Sequence, residues 1–155
     1  MKGNPQILSL LNDLLTNELT SINQYFVHAK MQKNWGYERL AKKVWDESIE
    51  EMKHADKIIE RILFLEGVPN LQKLNKLNIG ENVEEQLKSD LGLEHNAVDV
   101  LNKGIQKARD LGDNGSEELM TDMLEEEEEH VDWLETQIEL IKQVGLQNYL
   151  AEQIH

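Results

Sequence analysis

Apolar side chains recur every three or four residues along most of the chain, which is the spacing of one face of an α-helix. Four long segments show this pattern, at about 5–34, 38–65, 83–111 and 116–144, and a short one covers about 146–154. Turn signals at Gly36, at Gly67 and Pro69, and at 112–115 separate them, and Ser116 is predicted to cap the fourth helix. We therefore expect an all-α protein.

The connections between these segments predict how the helices pack. Two are short and predict antiparallel hairpins, whereas the one at about 66–82 is too long for a hairpin turn. We expect it to cross the length of the molecule between the second and third helices. The prediction is a single domain, residues 1–155, built as a four-helix bundle with a long crossover and a short C-terminal fifth helix.

A glutamate interrupts the apolar stripe of each long helix, and two histidines follow one turn after two of them. Glu51 lies 33 positions after Glu18, and Glu127 lies 33 after Glu94, so each pair is nearly equidistant from its turn. Residues equidistant from the turn of an antiparallel hairpin lie side by side. The second set repeats the first after 76 positions, and the six candidate ligands are Glu18, Glu51, His54, Glu94, Glu127 and His130.

Four ionised carboxylates inside an apolar bundle would each cost several kcal/mol if left unpaired. No Lys or Arg occupies the four stripes, whereas two divalent cations would balance the four negative charges. Two Glu and two Glu-x-x-His motifs are already known as the ligand set of di-iron and di-manganese helical bundles. A dinuclear metal site is therefore our leading interpretation, and the alternative is a bundle whose acidic core groups are protonated.

Other residues carry weaker signals. Glu152 and His155 form a third Glu-x-x-His, but Leu119 stands where its partner glutamate should be, so we leave it out. His28 is predicted to be a surface residue. His95 points about 100° away from Glu94 on a helix and is also left out. Tyr25 shares the face of Glu18, either as a residue that hydrogen-bonds a ligand or gives up an electron, or as an ordinary core tyrosine.

Composition narrows the function further. The formal charge of −14 argues against binding to bare nucleic acid. The absence of Cys excludes thiolate ligands and thiol nucleophiles and suits a reducing compartment. No signal peptide or membrane span is evident, so we expect a cytoplasmic protein with no membrane partner.

The second helix has a second row of apolar side chains, which the core of the bundle does not bury. Trp45, Ile49 and Met52 lie roughly 100° from Glu51, and Ile22 and Phe26 extend the surface from the first helix. Such a face is typical of a subunit interface or a ligand site. Periodicity alone favours a dimer interface without a cofactor, and Trp35 and Trp133 are similarly expected to be packing residues.

These residues resemble the bacterioferritins, the haem-containing ferritins of bacteria, over essentially the whole chain. The segments that carry the resemblance are Met1-Lys2-Gly3, Asn17-Glu18-Leu19 to Asn23-Gln24-Tyr25-Phe26, Glu51-Met52-Lys53-His54-Ala55-Asp56, Ile62-Leu63-Phe64-Leu65-Glu66-Gly67 and Gly145-Leu146-Gln147-Asn148-Tyr149-Leu150. The resemblance implies iron storage in a ferritin-like, 24-subunit shell built from two-fold dimers. It also implies a ferroxidase that oxidises Fe²⁺ with oxygen or peroxide, and a ferredoxin-type reductant for iron release.

The resemblance further assigns roles to residues. The six candidate ligands would form the ferroxidase centre, with Glu51 and Glu127 bridging the irons. Met52 from two subunits would ligate one b-type haem. An iron-uptake pore would use Asn34, Glu66, Asp132 and Glu139. An inner-surface iron site at Asp46 and Glu50 stays open, because some relatives carry His where this chain has Asp46. A di-iron oxygenase or peroxidase, or a non-enzymatic helical interaction module, are the alternatives.

Overall fold

A computed structural model describes all residues 1–155 and contains five helices and no strand. They are α1 Pro5–Asn34, α2 Glu38–Phe64, α3 Val83–Asp110, α4 Asn114–Val144 and α5 Leu146–Ala151. Helices α1 and α2 pack as one hairpin and α3 and α4 as another, while α5 packs against α4. The prediction of an all-α bundle of four long helices with a short fifth helix is confirmed. None of the helices has an apolar stretch long enough to cross a bilayer.

The start of α4 differs from the prediction, which gave the capping role to Ser116. The helix begins two residues earlier, and Asp113 is its N-cap. The backbone N–H of Ser116 donates to Oδ1 of Asp113 at 3.0 Å, and its hydroxyl donates to Oδ2 at 2.7 Å. Arg61 of α2 also donates to Asp113, at 2.7 Å. The carboxylate therefore both caps α4 and ties it to α2, which a Ser hydroxyl could not do.

The long connection between α2 and α3 lies alongside α1 and runs in the same direction. Its backbone forms hydrogen bonds with α1 side chains at successive positions, pairing Val68 and Asn70 with Asn12, Asn75 with Thr20, Asn78 with Gln24, and Gly80 with His28. The first and last α1 partners are 16 residues apart, which is about 24 Å of helix. The segment therefore crosses the length of the bundle and is held against α1 by these hydrogen bonds.

His28 is fully buried in this contact, so the prediction of a surface histidine is wrong. Its Nε2 accepts a hydrogen bond from the backbone of Gly80 at 3.0 Å, which leaves the proton on Nδ1, 2.9 Å from Asp90 of α3. The signal was present in the sequence. Polar residues repeat at every fourth position of α1, in the row Asn12, Thr16, Thr20, Gln24, His28 and Gln32, and a polar row needs polar partners.

The apolar core is divided into two clusters along the bundle axis. One contains Ile7, Leu11, Leu14, Leu15, Ala55, Ile58, Ile62, Leu65, Leu101, Ala108, Met120 and Met123. The other contains Tyr25, Ala29, Leu40, Val44, Val83, Leu87, Leu134, Ile141 and Tyr149. Along each of the four long helices, the glutamate predicted to be a ligand lies between members of the two clusters. The bundle thus holds one polar layer between two apolar ones.

Candidate metal centre

The six predicted ligand residues meet in this polar layer, and all are at least 95% buried. They form two overlapping groups of four, and within each group the potential ligand atoms lie within 4.8 Å of one another. One group is Glu18, Glu51, His54 and Glu127, and the other is Glu51, Glu94, Glu127 and His130. Glu51 and Glu127 belong to both. The arrangement offers two adjacent positions with two shared carboxylates between them.

Both imidazoles turn the same nitrogen towards the carboxylates. Nδ1 of His54 lies 3.1 Å from Oε1 of Glu127, 3.5 Å from Oε2 of Glu51 and 3.6 Å from Oε2 of Glu18. Nδ1 of His130 lies 3.0 Å from Oε1 of Glu94. The identical orientation follows from the identical Glu-x-x-His spacing on α2 and α4. Nδ1 is therefore the nitrogen that each histidine presents to a cation.

Protons offset the carboxylate charge when no cation is bound. Burial, with repulsion from neighbouring carboxylates, raises the pKa of both Glu51 and Glu127 well above its ordinary value. Burial also raises the pKa of Glu18. Burial alone would do the same to Glu94, but the neighbouring Glu127, His130 and Tyr25 side chains outweigh it and lower the pKa of Glu94. Burial and mutual repulsion therefore favour the protonated form of the two shared glutamates when no cation is bound.

The surrounding carboxylates favour the charged form of the two histidines when no cation is bound. Burial works against this, but hydrogen bonds to Glu127, Glu18 and Glu51 raise the pKa of His54 far above its usual range. The pKa of His130 is raised against its burial in the same way, first by Glu94. A cation that binds at Nδ1 must displace these protons, because coordination needs the nitrogen lone pair.

Several buried polar atoms in the layer still have no hydrogen-bond partner. They are Oε2 of Glu18, Oε2 of Glu94, Oε2 of Glu127 and Nδ1 of His130, whose 3.0 Å approach to Glu94 is not aligned for a hydrogen bond. Buried polar atoms without a partner are rare in native proteins and call for a bound water or ion. All four atoms belong to the predicted ligand set. Carboxylate oxygens with imidazole nitrogen suit a divalent transition metal, so the residues fit the predicted cations.

Comparison with known proteins agrees with this geometry. The ferritin-like domain family matches residues 8–144. A bacterioferritin of Mycobacterium tuberculosis is 46% identical over 152 residues, covering 98% of this chain and 96% of the relative. Bacterioferritins of Brucella melitensis and Rhodobacter capsulatus are 47% and 48% identical over 149 residues, covering 96% of this chain and 92% of each relative.

The chain belongs to the bacterioferritin family. Family membership supports a role in iron storage, and the clustered buried Glu and His side chains are able to hold metal ions.

Tyr25 makes a contact that the sequence left open. Its hydroxyl donates a hydrogen bond to Oε1 of Glu94, and its ring packs edge-on against His130 at 5.3 Å. Burial, with repulsion from Glu94, raises the pKa of Tyr25 well above its ordinary value, so the hydroxyl keeps its proton. Tyr25 therefore supports the second group of ligands, although the sequence placed it on the face of Glu18.

Sequence reasoning missed two acidic neighbours of the centre in this bacterioferritin-family chain. Oε2 of Glu126 lies 2.6 Å from Nε2 of His54. Oε2 of Glu47 lies 3.5 Å from Nδ1 of His130. Glu126 stands in a run of five glutamates, 125–129, where nothing in the spacing distinguishes it from the residues that face solvent. Only the helix packing shows that it reaches across to α2.

The remaining predicted residues lie away from the centre. Met52 is 53% exposed on the outer face of α2, beside exposed Trp45, whose ring is 5.3 Å from that of Phe26. Asp46 and Glu50 are paired with Lys42 and Lys53 rather than with each other. The four predicted pore residues are exposed, namely Asn34, Glu66, Asp132 and Glu139. The residues left out of the ligand set are exposed as well, namely His95, Glu152 and His155.

Proposed function

We propose that the polar layer is a ferroxidase centre that binds two Fe²⁺ ions as substrate and oxidises them to Fe³⁺ for storage. The observation that carries the proposal is the pair of buried four-residue groups that share Glu51 and Glu127. Two cations in adjacent positions could then use the same two carboxylates. The resemblance implies the same two bridging residues.

The donor chemistry favours iron among the first-row metals. Each position offers three carboxylates and one imidazole, a set dominated by hard oxygen donors. Each Fe²⁺ gives up one electron to oxygen or peroxide, and the ferric product gains most from the negative charge. Glu18 and Glu94 each serve one position. His54 and His130 complete the coordination, and the protons that leave these groups are available to reduced oxygen.

The exposed apolar face supports assembly into larger particles. Phe26, Trp45 and Met52 are large side chains left in solvent on one surface of α1 and α2. Such a patch marks an interaction site. We propose that it forms a two-fold dimer within a shell of 24 subunits, and that the ferric mineral collects inside. Sizing by light scattering separates a shell from the small oligomer expected of an oxygenase or peroxidase.

The same face fits a haem group. Met52 presents its thioether sulfur at the exposed surface among apolar and aromatic side chains, and a methionine sulfur is a known axial ligand of haem iron. Two-fold symmetry would supply a second Met52 from the partner. We propose a b-type haem there, which would carry electrons from a ferredoxin-type reductant for iron release in the cytoplasm. Purified wild-type protein should show a Soret band that Met52→Leu abolishes, and its persistence would contradict the assignment.

The central experiment is aerobic oxidation of Fe²⁺ by the metal-free protein, followed by absorbance of the ferric product. Glu18→Ala and His130→Ala should slow the reaction sharply, because each removes a ligand that only one position uses. His95→Ala is the matched control, since His95 neighbours Glu94 but is exposed. Wild-type rates in both ligand variants would refute the proposal. Failure of the wild type to bind any metal would instead favour a non-enzymatic helical module.

A further inference from the structure

The two histidines of the centre differ at the nitrogen that faces away from the metal positions. Nε2 of His54 lies 2.6 Å from Oε2 of Glu126, which reaches across from α4. The only acidic side chains near the ring of His130 approach its other nitrogen, Nδ1. Acidic side chains therefore lie close to both nitrogens of His54 but to only one nitrogen of His130.

The proton on a histidine decides which nitrogen can bind a cation. A neutral imidazole carries one proton, and the nitrogen without it has the lone pair that a metal needs. A carboxylate that accepts the Nε2 proton fixes Nδ1 as the free nitrogen and also fixes the ring orientation. Nδ1 of His54 already faces the three carboxylates of its group. The contact from Glu126 thus selects the tautomer and the direction that binding requires.

The sequence explains why only one histidine has this contact. Glu126 precedes Glu127 on α4, and the equivalent residue 76 positions earlier is Glu50, which precedes Glu51 on α2. Glu50 is paired with Lys53 at 3.0 Å instead of reaching a histidine. Position 129, equivalent to Lys53, is a glutamate, so no corresponding lysine competes for Glu126. The lysine that pairs with Glu50 thus has no counterpart beside Glu126, which distinguishes the two otherwise equivalent glutamates.

We infer that Glu126 is a positioning residue that holds His54 ready for its cation and makes the His54 position bind metal more tightly than the His130 position. The inference rests on the proposed function, because it assigns a cation to His54. Glu126 itself touches no cation, and its carboxylate acts through the imidazole. Loss of such a partner costs about 10- to 100-fold in metal affinity in other metalloproteins.

The test uses Co²⁺ titration of the metal-free full chain, followed by the visible absorption of bound Co²⁺. Wild type should bind two Co²⁺ per chain with unequal affinities. Glu126→Gln should weaken one of the two by about 10- to 100-fold and leave the other unchanged. Glu125→Gln is the matched control, because it makes the same change of charge at an exposed position one residue away.

A second pair of variants shows whether the effect passes through His54. In a His54→Ala background, Glu126→Gln should have no further effect on Co²⁺ binding, whereas in a His130→Ala background it should keep its full effect. A merely structural role would weaken binding equally in both backgrounds and would overturn the inference. So would affinities within about twofold of wild type in Glu126→Gln, or equal losses in Glu126→Gln and Glu125→Gln. A wild type that binds no Co²⁺ would overturn the proposed function as well.

Discussion

The two halves of the centre have the same ligands but different surroundings. In the half that contains Glu18 and His54, a carboxylate from α4 contacts the outer nitrogen of the histidine. Glu94 and His130 instead contact Tyr25, which donates to the glutamate and packs against the imidazole. The pKa of Glu18 is raised by burial, whereas hydrogen bonds overcome burial and lower the pKa of Glu94. Two cations bound as proposed would therefore enter unlike environments.

This difference shows what a sequence repeat does and does not determine. The 76-residue offset reproduces every ligand, because each ligand must occupy the same height and face of its helix. The residue equivalent to Tyr25 is Leu101, which belongs to an apolar cluster and offers Glu18 no hydrogen bond. The repeat therefore sets the positions of the donors, and the residues around them make the two positions unequal.

The largest expected effect comes from removing a ligand that both halves share. Glu127→Ala should abolish binding of both cations, because Glu127 belongs to both groups. Glu18→Ala should remove one Co²⁺ per chain and leave the other bound at Glu94 and His130. Counting bound Co²⁺ by titration distinguishes the two results. A Glu127→Ala variant that keeps one tightly bound Co²⁺ would contradict the shared position.

The second prediction concerns pH and sharpens the contrast between the halves. Glu51 and Glu127 belong to both positions, and each position has one histidine with a raised pKa, so the positions differ at Glu18 and Glu94. Burial raises the pKa of Glu18, whereas its neighbours lower the pKa of Glu94, so acidification protonates Glu18 before Glu94. Each proton released weakens binding about tenfold per unit fall in pH. Co²⁺ affinity should thus fall more steeply at the first position on acidification, and equal slopes would contradict this.

The same shifts give the sign of the stability change in the metal-free protein. A group whose folded pKa is raised stabilises the fold below its unfolded value and loses that contribution as the pH rises through the folded value. This applies to Glu51 and Glu127 above 4.5 and to His130 above 6.5. Glu94 has the opposite sign and matters only on acidification. The melting temperature without metal should therefore fall as the pH rises, while the increase caused by Co²⁺ grows.

Most of the fold and the clustering of the six candidate ligands could be predicted from the sequence, because both depend on helical periodicity. A glutamate on a core stripe is visible in the sequence, and the turn positions set its height. The pairing of the crossover segment with the side chains of α1 was harder to predict from the sequence. We predicted that His28 lies on the surface because a single histidine shows no periodicity, although the row of polar residues that contains it is periodic.

The residues that surround the centre could not be predicted from helical periodicity. Glu126 is one of five consecutive glutamates, and only the distance between α2 and α4 shows which of them reaches His54. The contact of Tyr25 with Glu94 crosses from α1 to α3, which no hairpin relates in sequence. Contacts within a hairpin follow from counting residues, whereas contacts between hairpins depend on how the two hairpins pack.

The third prediction tests the contact that only the second half has. Tyr25→Phe removes the hydroxyl that donates to Glu94 but keeps the ring against His130. Hydrogen bonds to charged groups contribute about 1.5–3 kcal/mol, so affinity at the second position should change by about tenfold or more. The first position should change little, because Glu18 does not receive this hydrogen bond. An equal change in both affinities, measured by Co²⁺ titration, would show that Tyr25 does not distinguish the halves.

The smallest effect is expected at the third Glu-x-x-His. Glu152 and His155 have the same spacing as the ligand pairs, but both are exposed and lie beyond the end of α5. No glutamate stands 33 positions before Glu152, so this pair has no partner carboxylate at its own level of the bundle. His155→Ala should therefore leave both Co²⁺ affinities and the rate of Fe²⁺ oxidation at wild-type values. A loss of either would mean that Glu-x-x-His spacing alone is enough to make a metal site. The partner glutamate 33 positions earlier and the burial of the polar layer would then not be what distinguishes the two proposed halves of the centre from the pair Glu152 and His155.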